Sequence, residues 1–254
     1  MAVVTQTFPD FTAASAACGA GYSDADIAHV IAFKTAQPIE TRQFAPEQAI
    51  NSVLAVSITA AEQAARPLTV LDFGGGCGFH YFRTSAAIHT PLRWAIVETP
   101  TMAISAAKLA DGRFDVFTDI AAAAQALGRV DLIHASSSIQ YVPEPLATLK
   151  TLAALRPRYF ALARFPWWGG AQIVGVQVST LAQNGIGPMP PHIPDRQVLY
   201  PITFSNFDIV LRTLAEYEVA LATGSPSSTY ELRGQQIPGV SVIFRAKAIA
   251  PRSG

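Results

Sequence analysis

The sequence predicts an α/β fold: a Rossmann-like, mainly parallel sheet with helices on both faces and a helical cap before its first strand. Three observations carry this. Short apolar runs alternate with helical segments from residue 68 to about 164, the pattern of parallel strands joined by crossover helices. The first apolar run breaks into glycines at 74, 75, 76 and 78, and an aromatic run resumes at Phe79. The next run ends in an acid, Glu98, about 20 residues on, where nucleotide-binding sheets carry one.

Residues 1–66 precede the first predicted strand and read as a helical cap. Asp24–Lys34 and Pro46–Ala65 have helical spacing and few breakers. Gly19–Asp24 is a turn, with Ser23 or Asp24 as N-cap. Residues 67–254 form the second unit, the ligand-binding domain. Its strands are Leu68–Leu71, Leu92–Glu98, Arg113–Thr118, Val130–Ala135 and Tyr159–Arg164, with an alanine-rich helix over Ile120–Leu127. A further strand-like run covers Gln172–Val178. Residues 184–201 are rich in proline and glycine, which excludes helix and central strand and predicts a long irregular loop. Ser205 is placed to cap a helix through Tyr217. Val219–Thr223 and Val240–Lys247 read as closing strands, with Ser225–Gly239 a loop between them.

The bulk composition narrows the function classes. The chain has 254 residues, half of them hydrophobic, with 18 basic and 18 acidic side chains. A zero net charge gives no electrostatic footprint for nucleic acid or an anionic membrane. Cys18 and Cys77 fit a reducing, cytoplasmic compartment. No cysteine–histidine spacing suggests a metal site. There is no basic, apolar leader and no run of about 18 apolar residues. The expected partners are a small molecule and, as an open option, a second copy of the chain.

The glycine turn selects among nucleotide-like ligands. In the dinucleotide fingerprint counted from Gly74, the third glycine falls at 79, which is Phe79. The alternating set here is Gly74, Gly76 and Gly78, with Asp72 two residues ahead. An acid on this turn suits a cation rather than a phosphate. S-adenosylmethionine (SAM) carries a sulfonium and an ammonium and no phosphate. Glu98 has the position and the two acceptor oxygens to hold a ribose diol. Asp119 is placed either to accept from an adenine amino group or to N-cap the Ile120–Leu127 helix. The run Ser136–Tyr141 follows a strand end, where ligands of open α/β sheets sit.

With these segments placed, the chain resembles a family of bacterial class I SAM-dependent methyltransferases associated with surface-polysaccharide biosynthesis. The matching pieces are Gly21-Tyr22, Leu71-Asp72-Phe73-Gly74-Gly75, Gly78, Tyr81-Phe82 and Val97-Glu98. Further matches are Phe117-Thr118-Asp119, Ser137-Ser138-Ile139-Gln140-Tyr141 and Arg164-Phe165-Pro166. The likeness spans roughly residues 20–215. Ala163 departs from it, because the family often has an acid there. The resemblance implies a seven-stranded methyltransferase sheet with a C-terminal hairpin, and SAM as cofactor with S-adenosylhomocysteine (SAH) as product. It implies cofactor contacts from Tyr22, Asp72, Gly74, Gly75, Gly76 and Gly78. The set is completed by His80, Tyr81, Glu98, Thr99, Thr118, Asp119, Ser136 and Ser137. It supplies no substrate.

Methyl transfer requires a near-attack geometry in a dry pocket, and a hydroxyl or amine acceptor must lose a proton. The acceptor-side candidates are His192 in the proline-rich loop, Tyr141, and Arg164 at the end of the fifth strand. Arg164 is either an anion binder or half of a structural ion pair. His134 reads as a buried structural histidine, and Trp167-Trp168 as a stacking wall or core packing. The leading function is methyl transfer to a small-molecule or saccharide acceptor, with a hydroxyl as the expected atom. A catalytically degenerate SAM-binding scaffold is the alternative. A nicotinamide-dependent oxidoreductase shares the sheet but is disfavoured by Phe79 and Asp72.

Overall fold

The computed structural model describes residues 2–41, 50–62 and 66–248. The predicted helix over Pro46–Ala65 lies in part outside the described residues. Among the described residues, ten strands make one sheet in the order β4-β3-β2-β5-β6-β10-β9-β1-β7-β8. Its first half is parallel. β2 (Leu68–Phe73) lies between β3 (Leu92–Val97) and β5 (Leu132–Ser136), β4 (Asp115–Phe117) flanks β3, and β6 (Tyr159–Pro166) flanks β5. β2 and β5 are buried almost without alternation because both of their faces are covered. The order of these five is that of a doubly wound sheet, with its switch point between β2 and β5.

Beyond β6 the sheet turns antiparallel. β10 (Gln235–Ala246) pairs with β6 and with β9 (Tyr217–Leu232). A dinucleotide sheet continues with a parallel sixth strand here; this one inserts a hairpin. The seven strands β4-β3-β2-β5-β6-β10-β9 are the class I methyltransferase sheet that the sequence predicts, and three more strands extend it. β1 (Ala2–Phe8) runs parallel to β9, β7 (Ile173–Thr180) antiparallel to β1, and β8 (Gln197–Phe204) closes the edge.

Helices cover both faces. On one side α6 (Ile120–Leu127), α7 (Pro145–Ala154) and α8 (Phe207–Thr213) bury Leu127, Leu149, Leu152 and Val210 against Phe160 and Leu162. On the other, α3 (Ile50–Ala61) and α4 (Phe79–Ala87) bury Ala55, Val56 and Phe82 against Val70, Leu132 and Ala161. α2 (Ala25–Thr41) and α5 (Pro100–Ala110) pack together through Ile27, Val30, Met102 and Ala106.

Four local expectations differ from the structure. The first residues are not helical: β1 and α1 (Phe11–Ala17) precede the cap helices, and Val4 of β1 is buried between neighbouring strands. Residues 197–201 are strand, not loop; Pro201 is tolerated because β8 is an edge strand. Asn206, not Ser205, caps α8, accepting from Asp208 and Ile209 N–H, and Tyr217 starts a strand. The 225–239 stretch is hairpin, turning at Arg233-Gly234 with both φ positive (52° and 79°), the geometry of a tight two-residue turn. Pro238 sits at a bulge in it.

Candidate functional site

The turn after β2 is shaped by what its glycines touch. Gly74 and Gly76 have φ of 69° and 59°, a region closed to most side chains. A Cβ on Gly74 would lie 2.3 Å from Ser138 Cβ, and one on Gly75 would lie 2.5 Å from Asp72 Oδ2. The turn therefore lies flat against the end of β5, and Ser138 Oγ donates to the Phe73 carbonyl at 2.7 Å to hold it there. Gly78, φ 90°, is the N-cap of α4 and abuts Phe114.

Glu98 closes the other side of this turn. Its Oε1 accepts from the Gly76 N–H at 2.8 Å, and its Oε2 from the Thr99 N–H at 2.8 Å. Burial pushes the carboxyl up to about 7, against the two N–H donors that pull it down. Each oxygen keeps lone pairs for a further donor.

Asp72 lies beneath the turn rather than in it. It is fully buried, accepts from Trp94 Nε1 at 3.3 Å, and sits 2.7 Å from His134 Nδ1. The Asp72–His134 contact ties β2 to β5, and the Trp94 contact ties β2 to β3. The acid thus anchors β2, β3 and β5 beneath the glycines and does not face a ligand. His134 is the structural histidine expected. His80 stands between this network and open space, its ring 4.6 Å from His134 and its Nδ1 3.3 Å from Ser52 Oγ. Burial first, then the neighbouring His134 and Arg164, hold His80 well below the ordinary histidine range, so it is neutral at neutral pH.

These groups open on a cavity of about 710 Å³ at the carboxyl ends of the parallel strands, a size suited to a ligand pocket. Of the residues singled out in the sequence, Gly74, Gly75, Gly76, His80, Glu98 and Thr99 line it. So do Thr118, Ser136, Ser137, Tyr141, Arg164 and Tyr22. Five do not. Asp72 and Gly78 serve the turn from behind, as described. Tyr81 packs on Trp94 and Phe114 in the core. Asp119 is the exposed N-cap of α6, accepting from the Ala122 N–H at 2.8 Å. His192 is exposed at a turn of the 184–196 loop, away from the lining; the loop's contribution is Asn184, Gly185 and Ile186. The tryptophans are also elsewhere. Trp167 stacks on Phe207, and Trp168 donates to the Ala171 carbonyl.

The opposite wall comes from the antiparallel extension, and no motif announced it. Tyr200 of β8 stacks on Tyr22 at 4.0 Å, and its hydroxyl donates to Asn184 Oδ1 at 2.8 Å. Tyr141 donates to Gln177 Oε1 of β7 at 2.7 Å. Burial raises the Tyr141 phenol far above its ordinary range. Tyr230 of β9 completes the wall. Lys34 of α2 enters from the cap. It is buried, donates to the Ala182 carbonyl at 2.6 Å, and is lowered by burial from the ordinary lysine range. Ser137 and Arg164 both take left-handed φ (53°) at the cavity edge. Among the described residues no three His, Cys, Asp or Glu side chains gather as metal ligands. None of the helices there is long and apolar enough to cross a membrane.

No family model and no curated protein matches the chain. Solved methyltransferase structures do, at a distance. The sugar N-methyltransferase KedS8 from Streptoalloteichus sp is 15% identical, with a TM-score of 0.48 over 83% of this chain and 93% of its own. The CcbJ methyltransferase from Streptomyces caelestis is 14% identical, TM-score 0.49, over 79% and 90%. The N-terminal domain of EvdMO1, solved in the presence of SAH and D-fucose, is 15% identical, TM-score 0.49, over 81% and 86%. These likenesses are remote.

Proposed function

We propose that the protein is a SAM-dependent methyltransferase acting on a small-molecule or saccharide acceptor, with a hydroxyl as the atom methylated. The observation that supports it most is the pair of hydrogen bonds from Gly76 and Thr99 to Glu98. A pyrophosphate needs free N–H groups at the glycine turn. Here the Gly76 N–H is already spent on a carboxylate, which repels phosphate and accepts from a ribose diol. The donor set thus fits SAM and not a nicotinamide dinucleotide.

SAM, when bound, supplies an electrophilic methyl on its sulfonium for in-line displacement. Everything else falls to the chain. Glu98 holds the ribose hydroxyls, and the flat backbone of Gly74–Gly76 lets the ligand approach closely. Thr99, Thr118, Ser136 and Ser137 are the further polar contacts on this side. Tyr22, stacked on Tyr200, covers the cavity and helps exclude water. Tyr141 keeps its proton and orients by donating; it is not a base. His80, held neutral by burial, lines the cavity as a hydrogen-bonding contact on the cofactor side. The scaffold alternative predicts cofactor binding without turnover.

Mass spectrometry of the ligand released by heating the purified protein tests the reading, followed by methyl-transfer assays on monosaccharides. SAM or SAH in the released fraction is the expected outcome. Release of a dinucleotide instead rejects the assignment.

A further inference from the structure

We propose that Arg164 binds an oxyanion, carboxylate or phosphate, on the methyl acceptor, which makes that acceptor an acidic, hydroxyl-bearing molecule such as a sugar acid or sugar phosphate. The inference rests on the methyltransferase reading and names the substrate class of the same cavity.

The backbone of β6 shows why this arginine is unusual. Phe160 and Leu162 point into the core under α7 and α8, while Tyr159 and Ala161 point to the opposite face. Continued alternation would send residue 164 into the first core after 160 and 162. It does not go there. β10 pairs Val242 with Leu162 but Val240 with Phe165, so Ser241 faces two residues, Ala163 and Arg164. Phe165 takes the core position and is fully buried. The extra residue turns Arg164 out to the cavity, the re-aiming that bulges perform beside functional sites.

The bulge is strained and held. Arg164 has φ 53°, where glycine is at ease and arginine is not. Its N–H donates to Ser241 Oγ at 3.1 Å, and its carbonyl accepts from Tyr230 Oη at 2.9 Å and Gln140 Nε2 at 3.3 Å. Partners from β10, β9 and the 139–141 turn thus fix one backbone unit. Strain of this kind persists where surroundings over-determine it, and it concentrates at ligand clamps.

The guanidinium is left with work to do. Nε donates to Ser136 Oγ at 3.1 Å. Arg66, Arg129, Arg158, Arg196 and Arg245 all pair with carboxylates; among the described residues no carboxylate pairs with Arg164. Its terminal N–H groups form the planar fork that matches a carboxylate or phosphate edge. Arg164 stands at the end of β6, on the acceptor side of the switch point, whereas Glu98 ends β3. Gln177, Ser179 and Asn184 line the same cavity with neutral hydrogen-bonding groups, and Tyr141 and Tyr200 offer ring faces. An acid with several hydroxyls satisfies all of these.

The test uses the full chain saturated with SAH, titrated calorimetrically with D-glucuronate, D-glucose 1-phosphate and neutral methyl glucoside. Arg164→Gly suits the left-handed backbone and removes the guanidinium; Arg164→Gln keeps length without charge. In the wild type at least one anion binds about tenfold or more tightly than the neutral sugar, as a charge-assisted pair allows. Carboxylate or phosphate preference separates the two anion sources. Both variants lose that margin, keep SAH affinity within about twofold, and Arg164→Gly melts no lower than wild type. Equal or stronger binding of the neutral sugar, no anion binding at all, retained preference in both variants, or a large loss of SAH affinity each overturns the proposal. If the wild type takes up no SAH, the methyltransferase reading fails, and the same anion titrations on the unliganded protein still decide the role of Arg164.

Discussion

The two halves of the sheet present different chemistry to one cavity. The parallel half, β4-β3-β2-β5-β6, offers backbone: a glycine turn, one carboxylate engaged by two N–H groups, and short hydroxyl side chains. The antiparallel half, β10-β9-β1-β7-β8, offers side chains: Tyr200, Tyr230, Gln177 and Ser179. The first suits a ligand that is always the same, because backbone geometry is hard to vary. The second suits a ligand that differs between enzymes, because side chains on strands change without disturbing the ladder. On the proposed function, β3, β2 and β5 hold SAM, while Arg164 at the end of β6 and the antiparallel half face the acceptor.

The largest expected effect breaks the parallel half. Gly74→Ala forces a Cβ into Ser138 at a positive φ. Overpacking of this kind costs about 1–3 kcal/mol of stability, and the shifted turn should lower SAM affinity about a hundredfold, the scale of two or three hydrogen bonds. Thermal melts and calorimetry measure both, and a variant with normal SAM affinity would remove the turn from the site.

Next is Glu98. Glu98→Ala should lose roughly 1.5–3 kcal/mol of SAM affinity, about tenfold or more in Kd, without weakening any acceptor that binds the other wall. A pH titration sharpens the point. The carboxyl sits at about 7 in the unliganded protein, and a cationic ligand favours its ionised form. SAM affinity should therefore rise as pH increases through 7 and level off above it, with proton release on binding below that point. In Glu98→Gln the dependence should flatten. Stability runs the other way. The folded state holds this proton where the unfolded chain has lost it, so the group's contribution falls as pH rises from about 4.5 to about 7.

The antiparallel half should respond more mildly and only on the acceptor side. Gln177→Ala removes the partner of the Tyr141 hydroxyl. It should reduce methyl transfer up to about tenfold, the value of one neutral hydrogen bond, while SAM binding stays within about twofold. The smallest effect is at His192: exposed and outside the lining, His192→Ala should change neither binding nor turnover in the same assays.

How much of this was legible follows the same division. Asp72, the glycines and Glu98 lie within one strand–turn–helix–strand unit, so spacing alone located them. Their roles were not all legible: Asp72 reads as a ligand contact, but Trp94 and His134 claim its oxygens, and those pairings depend on neighbouring strands. In the antiparallel half the contacts span the chain. β1 joins residues 2–4 to 230–232, so its strand character has no local signature beyond Val3, Val4 and Thr5. Pro201 and Pro238 made strand segments look like loop because edge position and bulges, which excuse proline, exist only in the assembled sheet. Tyr200 and Gln177 carried no motif; the two Tyr–amide pairs appear once β7, β8 and the turns packed on them are placed. The bulge at Arg164 is equally invisible, since only the register of β10 against β6 defines it.

The division is tested most directly by titrating the purified protein in a calorimeter with SAM, SAH and NAD, each against wild type and Glu98→Ala. SAM and SAH should bind, NAD should give no heat, and the variant should bind SAM about tenfold or more weakly. Measurable NAD affinity with silent SAM and SAH titrations would contradict it.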